Sequence, residues 1–255
     1  MNRVDALFKR LKKEKRCGLI AYVTCGDGET VRIVEELEEA GADAIELGIP
    51  FSDPIADGPV IQAAAQRSLA NGTTTTHVFD IARSIRARSE IPLIAFSYLN
   101  PILRYGTERF SDDAKAAGID SLLLTDLPPE VSGDLRKAMH ARGLGCVFLL
   151  APTSTDARIR LADRSSDGFV YYVSTTGVTG TRTELDPALL DRLDEVRAKL
   201  RNPVAVGFGI SRHEHYELLR DHCDAIVVGS AIVRAVAEGR SAGAVVREIL
   251  GTPPR

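Results

Sequence analysis

A short pattern recurs along the chain: a helix end, an Asp, then a brief apolar run. It stands as Gly-Ala-Asp-Ala-Ile-Glu-Leu-Gly (41–48), Gly-Ile-Asp-Ser-Leu-Leu-Leu-Thr (118–125) and His-Cys-Asp-Ala-Ile-Val-Val-Gly (222–229), with looser copies at 143–150 and 166–172. The distance from Asp43 to Asp224 holds six strand–helix units of about 30 residues each. Read as strands, the apolar runs are 19–24, 44–47, 92–97, 121–125, 145–150, 169–173, 203–207 and 225–228. Stretches of helical spacing lie between them, such as Val31, Val34 and Leu37 with Glu35, Glu36, Glu38 and Glu39 facing away, and Leu189, Leu190, Leu193 and Val196. Short buried strands alternating with helices predict a parallel α/β sheet, and eight such units in succession predict a single (β/α)8 TIM barrel. The competing architecture is an open doubly wound sheet. It needs a switch point and usually a glycine-rich first loop, and Thr24-Cys25-Gly26-Asp27-Gly28 lacks the G-x-G-x-x-G spacing.

The 255 residues suit one barrel domain over 1–255. An extra N-terminal helix is expected within 1–16, where Lys9–Arg16 follows Leu7 and Phe8 and gives a wet face, and a frayed tail at 251–255. Net charge is −3, and Lys/Arg-rich runs are confined to the first sixteen residues, so nucleic acid is not an expected partner. The four cysteines (Cys17, Cys25, Cys146, Cys223) form no C-x-x-C pair and suit free thiols in a reducing compartment. No apolar h-region follows the basic N-terminus and no segment approaches 18 apolar residues, so a cytoplasmic protein with no membrane contact is expected.

The chemistry is concentrated in residues 46–60, Glu-Leu-Gly-Ile-Pro-Phe-Ser-Asp-Pro-Ile-Ala-Asp-Gly-Pro-Val. A strand ends near one carboxylate and enters a loop with two more, Asp53 and Asp57, stiffened by Pro50, Pro54 and Pro59. The bland alternative is a solvated surface loop. Alternation puts Ile45 and Leu47 on one face of the strand and Ala44, Glu46 and Gly48 on the other, so Glu46 points into the barrel near its top. A buried Glu is rare without a partner, and no Lys or Arg falls at an inward strand position. Two carboxylates brought to one cleft are the material of general acid–base catalysis.

A phosphate signal follows strands 7 and 8. Gly207-Phe208-Gly209-Ile210-Ser211 precedes a helix that Ser211 and Glu214 are expected to open as a capping box, and Ser230 after Gly229 is placed to cap a second. Glycines beside helix N-termini leave N–H groups free for an anion, although plain turn glycines would give the same sequence. The loop Ser174–Thr181 has the small hydroxylated residues and paired glycines of a lid, or of an inert surface loop. All seven lysines (9, 12, 13, 15, 115, 137, 199) fall in predicted helices, which argues against a Schiff-base aldolase. The five histidines have the wrong spacing for a metal site, and no nicotinamide or flavin signature is present; no metal is expected. What remains is cofactor-free acid–base chemistry on a phosphorylated substrate.

The 46–60 segment, with Ile61-Gln62, Tyr98-Leu99-Asn100-Pro101-Ile102, Asp126-Leu127-Pro128, Gly177-Val178-Thr179-Gly180, Gly207-Phe208-Gly209-Ile210 and Gly229-Ser230-Ala231-Ile232-Val233, resembles the tryptophan synthase α subunit family. The blocks stand in the family's order from about residue 17 to 233. The resemblance implies cleavage of indole-3-glycerol phosphate to indole and glyceraldehyde 3-phosphate, with Glu46 and Asp57 as the catalytic pair. It implies indole and lid contacts by Tyr22, Phe96, Tyr98, Tyr171 and Thr179. Phosphate is implied on Gly180, Phe208, Gly209, Gly229 and Ser230, with Phe208 also beside the indole. It implies no cofactor in this chain, and a partner β subunit that carries pyridoxal phosphate in an α2β2 assembly, met partly by Asp53, Pro54, Asn100 and Pro101. Gly28, Tyr22 and Thr175 depart from the family's common pattern, and none touches the acid–base pair. A stand-alone indole-releasing lyase and a non-catalytic, phosphate-sensing barrel are the competing readings.

Overall fold

The computed structural model describes residues 2–173, 187–207 and 209–252. Among the described residues all strands are parallel: β1 (Gly18–Thr24), β2 (Ala44–Gly48), β3 (Leu93–Ser97), β4 (Ser121–Leu124), β5 (Gly145–Val147), β6 (Leu149–Leu150), β7 (Val170–Val173), β8 (Val204–Gly207) and β9 (Ala225–Val228). Their order is β5-β4-β3-β2-β1-β9-β8-β7-β6. The apolar run 145–150 predicts one fifth barrel strand, but the structure divides it into β5, which pairs with β4, and β6, which pairs with β7. The reason lies at Phe148, whose N–H donates to Ser166 Oγ at 3.1 Å rather than to a strand neighbour. This broken strand serves both edges of the sheet and brings it round into a (β/α)8 barrel.

Side chains alternate as the pleat requires. Leu19, Ile45, Leu47, Leu93, Leu122, Cys146, Val170, Val204 and Ile226 face the surrounding helices in one large core. Ile20, Ala44, Ile94, Leu123, Val147, Ala205 and Ala225 fill the barrel interior. The N-terminal helix Arg3–Glu14 closes the base of that interior. Asn2 and Asp5 form a capping box at its start, and Lys15 ends it in the left-handed conformation at φ 52°. Its Val4, Leu7, Phe8 and Leu11 follow helical spacing and enter the barrel floor, where the Phe8 and Phe169 rings lie 5.2 Å apart. Burying these side chains stabilises by roughly 1.5–3 kcal/mol each before entropy is counted.

The recurring Asp also finds its physical cause. Asp43, Asp120, Asp167 and Asp224 each precede a strand, and each carboxylate accepts the N–H of one residue on the strand before it. The acceptor distances are 3.0 Å from Leu19, 2.9 Å from Leu93, 2.9 Å from Cys146 and 2.8 Å from Val204. Each Asp also donates its own N–H to the carbonyl of that same residue, at 2.8–2.9 Å. The clamps therefore join barrel strands in successive twos: β1 with β2, β3 with β4, β5 with β7, β8 with β9. Cationic side chains close around them. Asp43 takes Arg16 at 2.6 and 2.8 Å, Asp120 takes Arg3 and Arg86, Asp224 takes Arg197, and Asp167 meets His140.

Candidate active site

Register fixes the height of Glu46 in the barrel. Glu46 on β2 stands beside Tyr22 on β1 and Ile94 on β3, one layer above the apolar floor. It is 1% exposed, and neither carboxylate oxygen has a hydrogen-bond partner. Burial alone lifts its pKa to about 8, so at neutral pH the side chain holds a proton. The Tyr171 phenol is held well above its ordinary range, first by burial and then by the nearby Glu46 and Asp57 charges. Two glycines make room for the tyrosines of this layer. A Cβ at Gly48 would strike the Tyr22 hydroxyl, and one at Gly207 would strike the Tyr171 hydroxyl. Phe96 packs edge-on against Tyr22 with ring centroids 5.2 Å apart.

Asp57 reaches the mouth on a loop held from both sides. Asp57 N–H donates to the Pro54 carbonyl at 3.0 Å, Gln62 Nε2 donates to the Asp57 carbonyl at 2.8 Å, and Ala56 N–H donates to the Tyr98 hydroxyl at 3.0 Å. Tyr98 is 3% exposed, so it anchors the loop in addition to any contact with substrate. Burial raises the Asp57 pKa to about 6, and a hydrogen bond from Tyr98 draws it down. The helix Pro59–Ala70 continues from this loop and lays Val60, Ile61 and Ala64 against Tyr22 and Val233. Its far end is fixed by Arg67, which grips Asp27 through two 2.7 Å bonds, and by Ser68, whose hydroxyl donates to the Cys25 carbonyl. The acid-bearing loop and the loop after β1 are thus held in one arrangement.

At the other side of the mouth, Gly229 is the N-cap of the helix Ser230–Ala237, and no side chain caps that helix. The first N–H groups of the helix are left to bind an anion. Gly209 is exposed at φ 56°, a conformation that favours glycine. The capping box expected at Ser211 does not form. The helix opens at His213 with Arg212 at its N-cap, and Ser211 N–H turns to His215 Nδ1 at 3.4 Å. Thr179, Gly180 and Phe208, together with the rest of the expected lid, lie outside the described residues. Among the described residues, no three His, Cys, Asp or Glu side chains gather as a metal site, and no helix is long and apolar enough to cross a membrane.

Asp53 and Asn100 are exposed on the rim, and Pro54 and Pro101 half-buried beside them. Sequence reasoning missed the apolar side chains of this rim. Ile55 is 86% exposed on the loop after β2, Leu103 58% on the short helix Leu99–Tyr105 after β3 and Val131 71% on the 3-10 turn Pro129–Val131 after β4, in the connections of three neighbouring strands. Large apolar groups exposed on one arc mark a docking surface. Ile55 did carry a signal, as the one large aliphatic between Pro54 and Asp57. The tyrosine seats at Gly48 and Gly207 carried none locally.

A family model described as tryptophan synthase alpha chain matches residues 8–250. The tryptophan synthase alpha chain of Solibacter usitatus is 53% identical over 247 residues, covering 96% of this chain and 92% of that protein. A crystal structure of tryptophan synthase subunit alpha from Legionella pneumophila superposes with a TM-score of 0.90 at 34% identity, covering 98% of this chain and 97% of that one. A chain from the tryptophan synthase a2b2 complex of the hyperthermophile Pyrococcus furiosus gives 0.87 at 41% identity, covering 92% and 98%.

Proposed function

Because the chain belongs to the tryptophan synthase alpha chain family, we propose that it splits indole-3-glycerol phosphate into indole and glyceraldehyde 3-phosphate. Indole then passes to a β subunit in an α2β2 assembly for tryptophan synthesis in the cytoplasm. The observation that carries the chemistry is Glu46: buried, unpartnered and still protonated at neutral pH. Its proton goes to indole C3 and gives an indolenine cation. The resulting carboxylate takes the proton of the side-chain hydroxyl, the C–C bond breaks, and the electrons return to the ring. Asp57, ionised above pH about 6, accepts the indole N–H and stabilises the cation. Tyr22, Phe96, Tyr98 and Tyr171 wall the indole, and the phosphate rests on Gly209, Gly229 and Ser230, with Gly180, Phe208 and the Thr179 lid completing the enclosure.

The chain itself needs no cofactor; pyridoxal phosphate belongs to the partner. Asp53, Pro54, Asn100 and Pro101, with exposed Ile55, Leu103 and Val131, form the rim that meets it. The test is indole release from indole-3-glycerol phosphate with and without a cognate β subunit. Slow release that the partner raises strongly supports the reading. Fast release indifferent to the partner marks a stand-alone lyase, and no release in either condition leaves only a sensing role. Gly229→Ala probes the anion site separately, since its Cβ would meet Tyr22 and Ile61 only at ordinary contact distances of 3.5–3.7 Å. Expected is weaker binding of glycerol phosphate at unchanged stability, and unaltered affinity would refute the site.

A further inference from the structure

We propose that Cys17 and Cys223 are a redox-active pair that closes into an intramolecular disulfide across the base of the barrel on meeting a hydroperoxide. All four cysteines are free and buried, and among the described residues these two make the one contact between thiols, Sγ to Sγ at 3.7 Å. Cys17 leads into β1 and Cys223 lies just before β9. The two strands are neighbours, with Gly18 opposite Ala225 and Gly18 N–H on the Asp224 carbonyl. The backbone under both thiols is therefore fixed by paired strands, and side-chain rotation brings the sulfurs into bonding reach. Cys17 and Cys223 are 5% and 2% exposed, yet both line the floor of a cleft of about 930 Å³, which gives a small oxidant a route. Lys12, Lys15, Arg16 and Arg220 share that cleft with Asp5, Asp221 and Asp224, so it is a polar, solvent-reached surface.

Cys17 is the first to react. The Cys223 thiol is held by the Leu219 carbonyl at 3.2 Å, whereas the carbonyl nearest the Cys17 thiol, that of Gly18, lies farther off at 3.6 Å. Cys17 Sγ, as thiolate, attacks one oxygen of hydrogen peroxide. An S–O bond forms, the O–O bond breaks, and the other oxygen leaves as water once protonated. Cys223 Sγ then attacks the sulfenic sulfur. The S–S bond forms, the S–O bond breaks, and the second oxygen leaves as water. Two thiols lose two electrons and two protons, and one peroxide becomes two waters.

The test exposes the full chain to hydrogen peroxide, denatures it, and counts thiols with a chromogenic disulfide reagent. Expected is a fall from four thiols to two, restored by dithiothreitol, with a Cys17–Cys223 cross-linked peptide under non-reducing conditions. Cys17→Ser and Cys223→Ser should each lose this cross-link, while indole release by the oxidised chain stays within about two-fold of the reduced. Four thiols persisting at peroxide levels that oxidise a free dithiol would overturn the proposal. So would a cross-link mapped to any other pair, or to a second chain. The peptide map of the unmutated chain decides the matter even if a serine variant fails to fold.

Discussion

At the base of the barrel, Asp120 is 4% exposed, lies against the Arg3 and Arg86 guanidiniums, and holds the Leu93 N–H. At the mouth, Glu46 is buried as deeply, with no cation and no hydrogen bond. The same chemical group is neutralised by ion pairing at one end and by its own proton at the other. A paired carboxylate gives structure and no proton. An unpartnered one weakens the fold and becomes an acid at the pH where it works. On the proposed mechanism, that contrast separates stability from catalysis along the barrel axis, as expected for this architecture.

Glu46→Gln should break the contrast most sharply. It keeps shape and removes the transferable proton, so turnover should fall about 10²–10⁴-fold with the fold intact, and Asp57→Asn should lose at least ~10²-fold. Steady-state indole release beside far-ultraviolet circular dichroism measures both. Near-normal turnover in either variant would end that residue's assignment.

At the base the effect should reverse. Asp120→Ala leaves the Leu93 N–H without its carboxylate and strips one ion pair each from Arg3 and Arg86, which keep Glu90 and the Gly118 and Ser89 carbonyls. It should cost roughly 2–3 kcal/mol in urea unfolding while turnover per folded molecule holds. A loss of turnover at full stability would show that the two ends are not separate.

The pH dependence sharpens the comparison. Glu46 is protonated in the folded chain up to about pH 8, but an unfolded Glu ionises near its ordinary value of 4.5. Between those values the folded state binds the extra proton, so the stability Glu46 contributes at low pH is lost as pH rises through 8. Relative to the native chain, Glu46→Gln should gain stability across that window, by a few kcal/mol at most. Chemical unfolding of both proteins at pH 5 and pH 9 reads it directly; a constant difference would mean that Glu46 titrates normally. Turnover should peak between Asp57 ionising near 6 and Glu46 losing its proton near 8. The smallest effect belongs to the rim. Ile55→Ser should leave unassisted indole release unchanged and weaken partner stimulation by several-fold, read by titrating the β subunit.

Much of this was legible in the chain because it is periodic and local. Alternation along β2 fixes which way Glu46 points, and Leu7 and Phe8 ahead of the Lys9–Arg16 charges mark a helix with one wet face, whose apolar side the fold then sets into the barrel floor. What escaped depends on residues distant in sequence. The break at Phe148 is made by Ser166, eighteen residues on. The emptiness at Gly207 is explained only once Tyr171 stands across from it. The Asp recurrence was visible, but its meaning required seeing that each carboxylate reaches back to the previous strand.

That backward reach bears on how the molecule is assembled. The first strand of each clamped two is latched by an Asp that leaves the ribosome after it, so β1 is secured only when residue 43 has been made, and β8 only at residue 224. Order should therefore accrue in quarters of the barrel. A nick between Ser89 and Ile91, ahead of β3, would divide one quarter from the next and leave every latch joined to its strand. A nick at Gly26–Gly28 would sever one quarter's own latch from the strand it holds.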